Sequence, residues 1–308
     1  YGPVDLMAKR DQVNPLVQAV APRRLDRIKS IHNIHNSHVN FFNGFPVRIQ
    51  QWDRVMGEPC SHEEPEMNDQ TLKTSVKDCI DDLIEICDFA ELYRTYAWKR
   101  DRWQSGFPDI CRLEREIGDA ARTGTLSEEH LKAIARWGGL PNIERIRAPA
   151  PIRIALFEDG NVARWARENP ENAIRVLCGQ IRGFGPTYTS KLLRFAAPEL
   201  FGAIDTRIVR VFGAGETSHL HLLDLTATPV DGRWAILSGQ QGWPEEYGTW
   251  TAILTYAAAE LNATGQPCPH PEAIIKAGLR ERGIWLNADV EMAIFNYASG
   301  KIQTIRRD

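Results

Sequence analysis

The stretch Asn169–Arg210, NPENAIRVLCGQIRGFGPTYTSKLLRFAAPELFGAIDTRIVR, decides how the chain folds. Asn169 can cap a helix that begins at Pro170, and Glu171 is well placed in its first turn. Ile174, Val176, Leu177 and Ile181 give this helix a buried side. Arg182-Gly183-Phe184-Gly185 is too rich in glycine to continue it. A second helix starts near Pro186 and carries Leu192, Leu193 and Phe195. The expectation is helix, tight glycine hairpin, helix, and then a short connection to Ile204-Asp205-Thr206-Arg207-Ile208-Val209-Arg210.

Two glycines let the backbone turn sharply and leave its amides open to a partner. Such amides, with the positive end of the second helix behind them, can hold a phosphate-like anion. Arg175, Arg182, Lys191, Arg194, Arg207 and Arg210 stand in this region against only Glu199 and Asp205. A basic surface around a phosphate-sized nest points to a nucleic-acid backbone. The plainer alternative is a helix–turn–helix corner with no ligand.

The continuation to Asp205 separates the two. Ile181–Thr187 and Ala203–Arg210 resemble the paired motifs L-P-G-V-G-x-K-T-A and V-D-T-H-V-x-R-V of the helix-hairpin-helix DNA glycosylase superfamily, which includes endonuclease III, the adenine glycosylase and the 8-oxoguanine glycosylases. The likeness is greatest to a bacterial branch with an 8-oxoguanine-glycosylase-type fold, marked by G-x-G-P-(x)3-S/T-K and a D-(S/T/R)-R-V segment. It is strong over 169–210 and loose elsewhere.

The resemblance implies a mainly α fold in which two helical domains flank a DNA-binding cleft that holds the helix-hairpin-helix motif. Residues 69–200 would form a six-helix domain ending in the hairpin. Residues 1–68 and 201–308 would form a second, mostly helical domain. The implied activity is excision of a damaged or modified base from double-stranded DNA, most readily an oxidised purine such as 8-oxoguanine. Asp205 falls on the essential aspartate, and Arg182, Gly183, Phe184, Gly185, Thr187, Arg207 and Arg210 fall on DNA-contacting positions. A late helix lines the base pocket in this family, so Trp243, Tyr247 and Trp250 are the candidate stacking wall. The alternative function is a non-catalytic protein that uses the hairpin as a DNA clamp.

One position departs from the pattern. Bifunctional members carry a catalytic lysine two residues after the second hairpin glycine, and here that residue is Thr187. Lys191 lies one helical turn further on, so it can share the same face and act as nucleophile from a deeper site. Otherwise it holds a phosphate or pairs with Asp205, and Asp205 directs a water. A flipped base must be recognised in a pocket, and breaking its bond to the sugar builds positive charge that a carboxylate stabilises.

The remaining sequence sets bounds. The 308 residues suit one large or two small domains. A net charge of −3 excludes a polycation, so DNA binding would need a local patch. No long apolar run or leader pattern is present, and a cytoplasmic monomer is expected. The chain begins at Tyr1 rather than Met, so a trimmed N-terminus is expected. Cys60, Cys79, Cys87, Cys111, Cys178 and Cys268 form no C-x-x-C pair, which argues against zinc or an iron–sulfur cluster and for buried reduced thiols. No cofactor is expected, apart from a monovalent cation that the hairpin could take.

In 1–68, Arg23–Lys29 can start a basic helix, and His32, His35 and His38 recur at a spacing of three without further ligands. Phe41–Pro46 is read as a hydrophobic plug. A single helix is expected over 69–96. The aromatic and basic residues from Tyr93 to Phe107 suit either base stacking or surface packing, with Trp98 read as packing and Trp103 or Gln104 as candidates to fill the hole left by a flipped nucleotide. Helices are expected over 109–122, 127–137, 161–167, 245–261, 271–282 and 287–299. A β-hairpin is expected around Pro229–Gly232, and a solvated basic tail at Lys301, Arg306 and Arg307.

Overall fold

The computed structural model describes residues 72–215 and 220–305, with side chains to 302. The expectations for Arg23–Lys29, the three N-terminal histidines, Phe41–Pro46, Cys60 and Arg306–Arg307 lie outside the described residues. So does the N-terminal share of the second domain.

The segment expected as one helix over 69–96 is two: α1 (Thr74–Ile86) and α2 (Phe89–Arg94). Asp88 divides them. Its side chain accepts the Glu91 amide at 2.9 Å and so starts a new helix. The signal was in the sequence, because Asp88 and Glu91 have the spacing of a capping box. A two-residue hairpin follows, β1 (Ala97–Trp98) against β2 (Asp101–Arg102).

Next come α3 (Pro108–Arg122) and α4 (Glu128–Gly138). At the start of α3 the buried Asp101 accepts the amides of Asp109 and Ile110, and Asp109 pairs with Arg100 at 2.6 Å. Ser127 and the left-handed Gly139 bound α4. The hairpin β3 (Phe157–Glu158) and β4 (Asn161–Val162) leads into α5 (Arg164–Glu168), α6 (Pro170–Cys178) and α7 (Pro186–Ala196). That makes seven helices over 74–196 where six were expected. Val176, assigned to the buried side of α6, is exposed.

After α8 (Thr206–Phe212), β5 (Ala227–Val230) pairs with β6 (Arg233–Ile236) through Asp231 and Gly232. The chain ends in α9 (Glu245–Ala263), a short α10 (Glu272–Lys276) and α11 (Asn287–Ile305). The protein is therefore mainly helical with small antiparallel hairpins. No helix of the described residues is long and apolar enough to cross a membrane.

Contacts explain how the helices sort. α7 packs on α3, α4 and α6, whereas α1 and α2 pack on α9 and α11, and α8 packs on α11. Helices α1 and α2, expected in the first domain, therefore sit with the C-terminal helices, and all the described residues belong to one compact unit. Nine of the residues of α7 are buried, among them Leu192, Leu193 and Phe195. Burying each such large apolar side chain contributes about 1.5–3 kcal/mol. A helix enclosed on all sides is normally apolar. α7 also carries Lys191 and Arg194 inside, and these cations require carboxylates from other elements.

Candidate functional site

The hairpin between α6 and α7 is fixed from below. Arg182 and Arg147 exchange backbone hydrogen bonds, Arg147 N–H to Arg182 O at 3.1 Å and Arg182 N–H to Arg147 O at 2.8 Å. Gly183 then turns with φ +87°, and a Cβ there would lie 3.2 Å from the Arg145 carbonyl oxygen. Gly185 has nothing within 4 Å of where its Cβ would stand. The amides of Gly183, Phe184, Gly185 and Thr187 donate to no protein acceptor among the described residues. Arg145, Arg147 and Arg182 are exposed around this tip. Phe184 rests on Tyr188 at 5.6 Å between ring centres.

One turn into α7, the Lys191 ammonium lies 3.3 Å from Asp205 Oδ2. Asp205 caps α8 through the same carboxylate, with Oδ1 accepting the Arg207 amide at 3.1 Å. The buried Ser190 hydroxyl aligns the two helices: it donates to Thr187 O and accepts the Ile204 amide, both at 3.0 Å. The residue before Asp205 is thus tied to α7. Lys191 and Asp205 line a cavity with Tyr96, Trp98, Trp137, Arg194, Ala203, Glu291 and Phe295. Its free volume is about 20 Å³, room for about one water.

Aromatic faces enclose the ammonium: Tyr188 at 5.0 Å, Trp137 at 5.7 Å and Trp98 at 6.0 Å. The tryptophans are held in turn. The Trp98 indole donates to Trp137 O at 3.0 Å, and the Trp137 indole donates to the buried Asp101 at 2.8 Å. Gly138 lets Tyr188 approach, since a Cβ there would fall 2.6 Å from the phenol ring. Burial and then the Asp205 charge push the Tyr188 hydroxyl up to about 12. Arg207 covers Phe295 at 4.9 Å and Trp98 at 5.5 Å.

Behind this cavity runs a buried chain of charges. Arg194 donates to Glu114 at 2.7 Å and stands 3.7 Å from Glu291. Glu114 also accepts from Arg280, which grips Asp289 at 2.9 Å, and His270 lies 3.1 Å from Asp289. Burial raises the Asp289 carboxyl, but Arg280 and His270 outweigh it and bring it down to about 2. The opposite balance holds at Glu291. Burial pushes it up to about 7, against the pull of Arg194 and Lys191 and with the help of Asp205. Cys268, His270 and Asp289 lie close together. Asp289 has both oxygens on Arg280, and burial and Asp289 push the Cys268 thiol far up.

The structure brings Lys191, Asp205 and Arg207 together and leaves Arg182, Gly183, Phe184, Gly185 and Thr187 at the hairpin. Arg210 is buried, stacked on Trp234 at 4.2 Å. Arg194 is internal and Arg175 is paired with Glu245, so the basic surface expected from α6 to α8 is smaller than its sequence suggests. Exposed Arg145 and Arg147 enlarge it from a segment distant in sequence. Trp243, Tyr247 and Trp250 do not line the cavity. They are buried behind it, where Tyr247 donates to Gly202 O and Trp250 to Ala203 O, both at 3.2 Å, so that these two hold the connecting segment that leads to Asp205.

Trp98 packs on Trp137 and Phe295, as read, and also lines the cavity. Trp103 is tied to the Pro269 carbonyl, while Gln104 is exposed. Glu291 went unnoticed in the sequence, where only its acidic type within an apolar stretch, VEMAIF, marks it. Comparison of the chain with family models, curated proteins and solved structures returns no match.

Proposed function

We propose that the protein is a DNA N-glycosylase of the helix-hairpin-helix type, with α6, the glycine hairpin and α7 as its DNA-binding motif in a cleft between two helical layers. The observation that carries this reading is the Lys191–Asp205 pair at 3.3 Å, in a walled cavity one turn behind a hairpin with open amides. The hairpin amides and Arg145, Arg147 and Arg182 hold backbone phosphates. A base turned out of the duplex enters past Trp98 and Arg207. The C1′–N bond breaks with its electron pair leaving on the base, and the Asp205 carboxylate stabilises the sugar cation. The Lys191 amine, after passing a proton to Asp205, adds to C1′, opens the sugar to an imine and permits strand cleavage by β-elimination. If Lys191 stays paired, a water directed by Asp205 adds instead and leaves an abasic site.

One observation favours a second reading, a DNA clamp without chemistry. The cavity holds about 20 Å³, so Lys191 or Trp98 must move before a base fits. Borohydride trapping on duplexes carrying oxidised, alkylated and deaminated bases separates the cases. An adduct that disappears in Lys191→Gln identifies a glycosylase with lyase activity, and abasic product without an adduct identifies a hydrolytic one. Asp205→Asn should lower excision by about 10²–10³ with DNA affinity retained. Binding with no product from any duplex would overturn the catalytic reading.

A further inference from the structure

The cavity that holds Asp205 contains a second carboxyl, and nothing in the chemistry above uses it. Glu291 projects from α11 and has only 8% of its side chain exposed, with that remainder in the cavity lining. It lies against the connecting segment before Asp205: a Cβ on Gly202 would fall 2.9 Å from that of Glu291. The groups facing it are Arg194 and Lys191 from α7, Asp205 at the start of α8, Tyr96 ahead of β1 and Tyr247 from α9.

Its one close cation is committed elsewhere. Arg194 gives its short hydrogen bond to Glu114 and meets Glu291 at 3.7 Å, an ion-pair contact longer than a hydrogen bond. The buried chain sets Lys191, Arg194, Arg280 and His270 beside four carboxyls, Glu114, Asp205, Asp289 and Glu291. Glu291 is the least well paired and the one whose proton is held to about pH 7. A neutral carboxyl beside an ionised one in a single site is the arrangement that divides acid from base roles.

We infer that Glu291 is the acid that protonates the departing base. This rests on the glycosylase reading. As the C1′–N bond breaks, its electron pair moves onto the heterocycle, and the Glu291 proton passes to a ring nitrogen or exocyclic oxygen of that heterocycle. The base leaves neutral, and Glu291 becomes a carboxylate. It recovers a proton from solvent once the water or amine that adds to C1′ has released one. The substrate class is a base that is a poor leaving group as an anion, an uncharged purine or pyrimidine derivative rather than one already made cationic by alkylation.

The test is single-turnover excision between about pH 5 and pH 9 by the wild type and Glu291→Gln, on duplexes bearing uncharged damaged bases, with affinity for an abasic duplex measured alongside. General acid catalysis supplies about 10²–10⁴ in rate, so Glu291→Gln should lose at least about a hundredfold. The wild-type rate should fall as pH rises through about 7, and the variant should lack that limb. Binding to the abasic duplex, which has no base to protonate, should stay within about threefold. Variant excision within about threefold of wild type at each pH would overturn the assignment, as would abasic binding lost in step with excision. A flat wild-type profile between about pH 6 and pH 8 would do so without any variant. Absence of excision by the wild type from every duplex would instead remove the glycosylase reading itself.

Discussion

Glu291→Gln also makes a prediction about folding that is independent of any activity. The Glu291 carboxyl is held up to about 7 in the folded protein against 4.5 for a free side chain. Between those two pH values the folded protein keeps a proton that the unfolded chain has lost. The stability that this group contributes is therefore fully present below about pH 4.5 and is lost as pH rises through about 7. At about 1.4 kcal/mol per pH unit, the gap is worth on the order of 3 kcal/mol. Glutamine keeps the shape of the protonated acid and cannot ionise, so it removes the loss. Urea unfolding at pH 5 and pH 8.5 is the assay. The two proteins should be within about 1 kcal/mol at the lower pH, and the variant should be more stable by about 3 kcal/mol at the higher. Acid titration of the other groups cancels in the comparison because both proteins share them. A stability difference that does not grow with pH would refute the reasoning, and so would a variant that is weaker by the same amount at both.

The two hairpin glycines should separate by role. Gly183→Ala forces a side chain into φ +87° and against the Arg145–Ile146 backbone, and should cost at least about 1–2 kcal/mol in thermal or urea unfolding. Gly185→Ala meets open space and should stay within about 1 kcal/mol of wild type. Its affinity for duplex DNA at low salt should nonetheless fall if phosphate approaches the tip, and unchanged affinity would remove the tip from the interface. In the buried charge chain, Glu114→Gln leaves Arg194 and Arg280 without their shared carboxylate and should destabilise by about 3–5 kcal/mol in urea unfolding. A loss below about 1 kcal/mol would mean that the two guanidinium groups find other partners.

The local order of the chain was legible because short-range rules set it. Pro170 and Pro186 open their helices, Gly139 closes α4, and Leu192, Leu193 and Phe195 are in the core, as their sequence neighbours indicate. The nearness of Lys191 and Asp205 was a possibility in the sequence, and it depends on Ser190 linking α7 to Ile204. What was not legible came from distant segments. Sequence places Arg194 among the surface cations, but Glu114, far back in α3, draws it inside. Arg145 and Arg147 reach the hairpin only through a bridge to Arg182. Trp243, Tyr247 and Trp250 have the aromatic character of a stacking wall. The Tyr247 phenol and the Trp250 indole instead find backbone carbonyls behind the cavity, and no spacing rule reveals on which side of a connecting segment a helix will pack. Among the described residues five cysteines are free thiols, of which Cys268 is buried and Cys178 is exposed.

The buried charges themselves separate structure from chemistry. A core selected for stability alone gains little from ion pairs, since apolar residues of similar volume often serve as well. Toward α10 the chain of charges is closed: Glu114, Arg280 and Asp289 have at most 1% of their side chains exposed, and short hydrogen bonds satisfy them. Toward the hairpin it opens. Lys191 and Asp205 keep 8% and 16% exposure, their contact lengthens to 3.3 Å, and aromatic faces rather than further acceptors surround the ammonium. A cation held by one carboxylate and three rings can leave that contact at lower cost than one locked between two carboxylates, so Lys191 is the buried cation most able to exchange its partner for a ligand. The locked half fixes α3, α7 and α11 relative to one another. That rigidity lets the open half keep Lys191, Asp205 and Glu291 around one small space with their charges only partly matched.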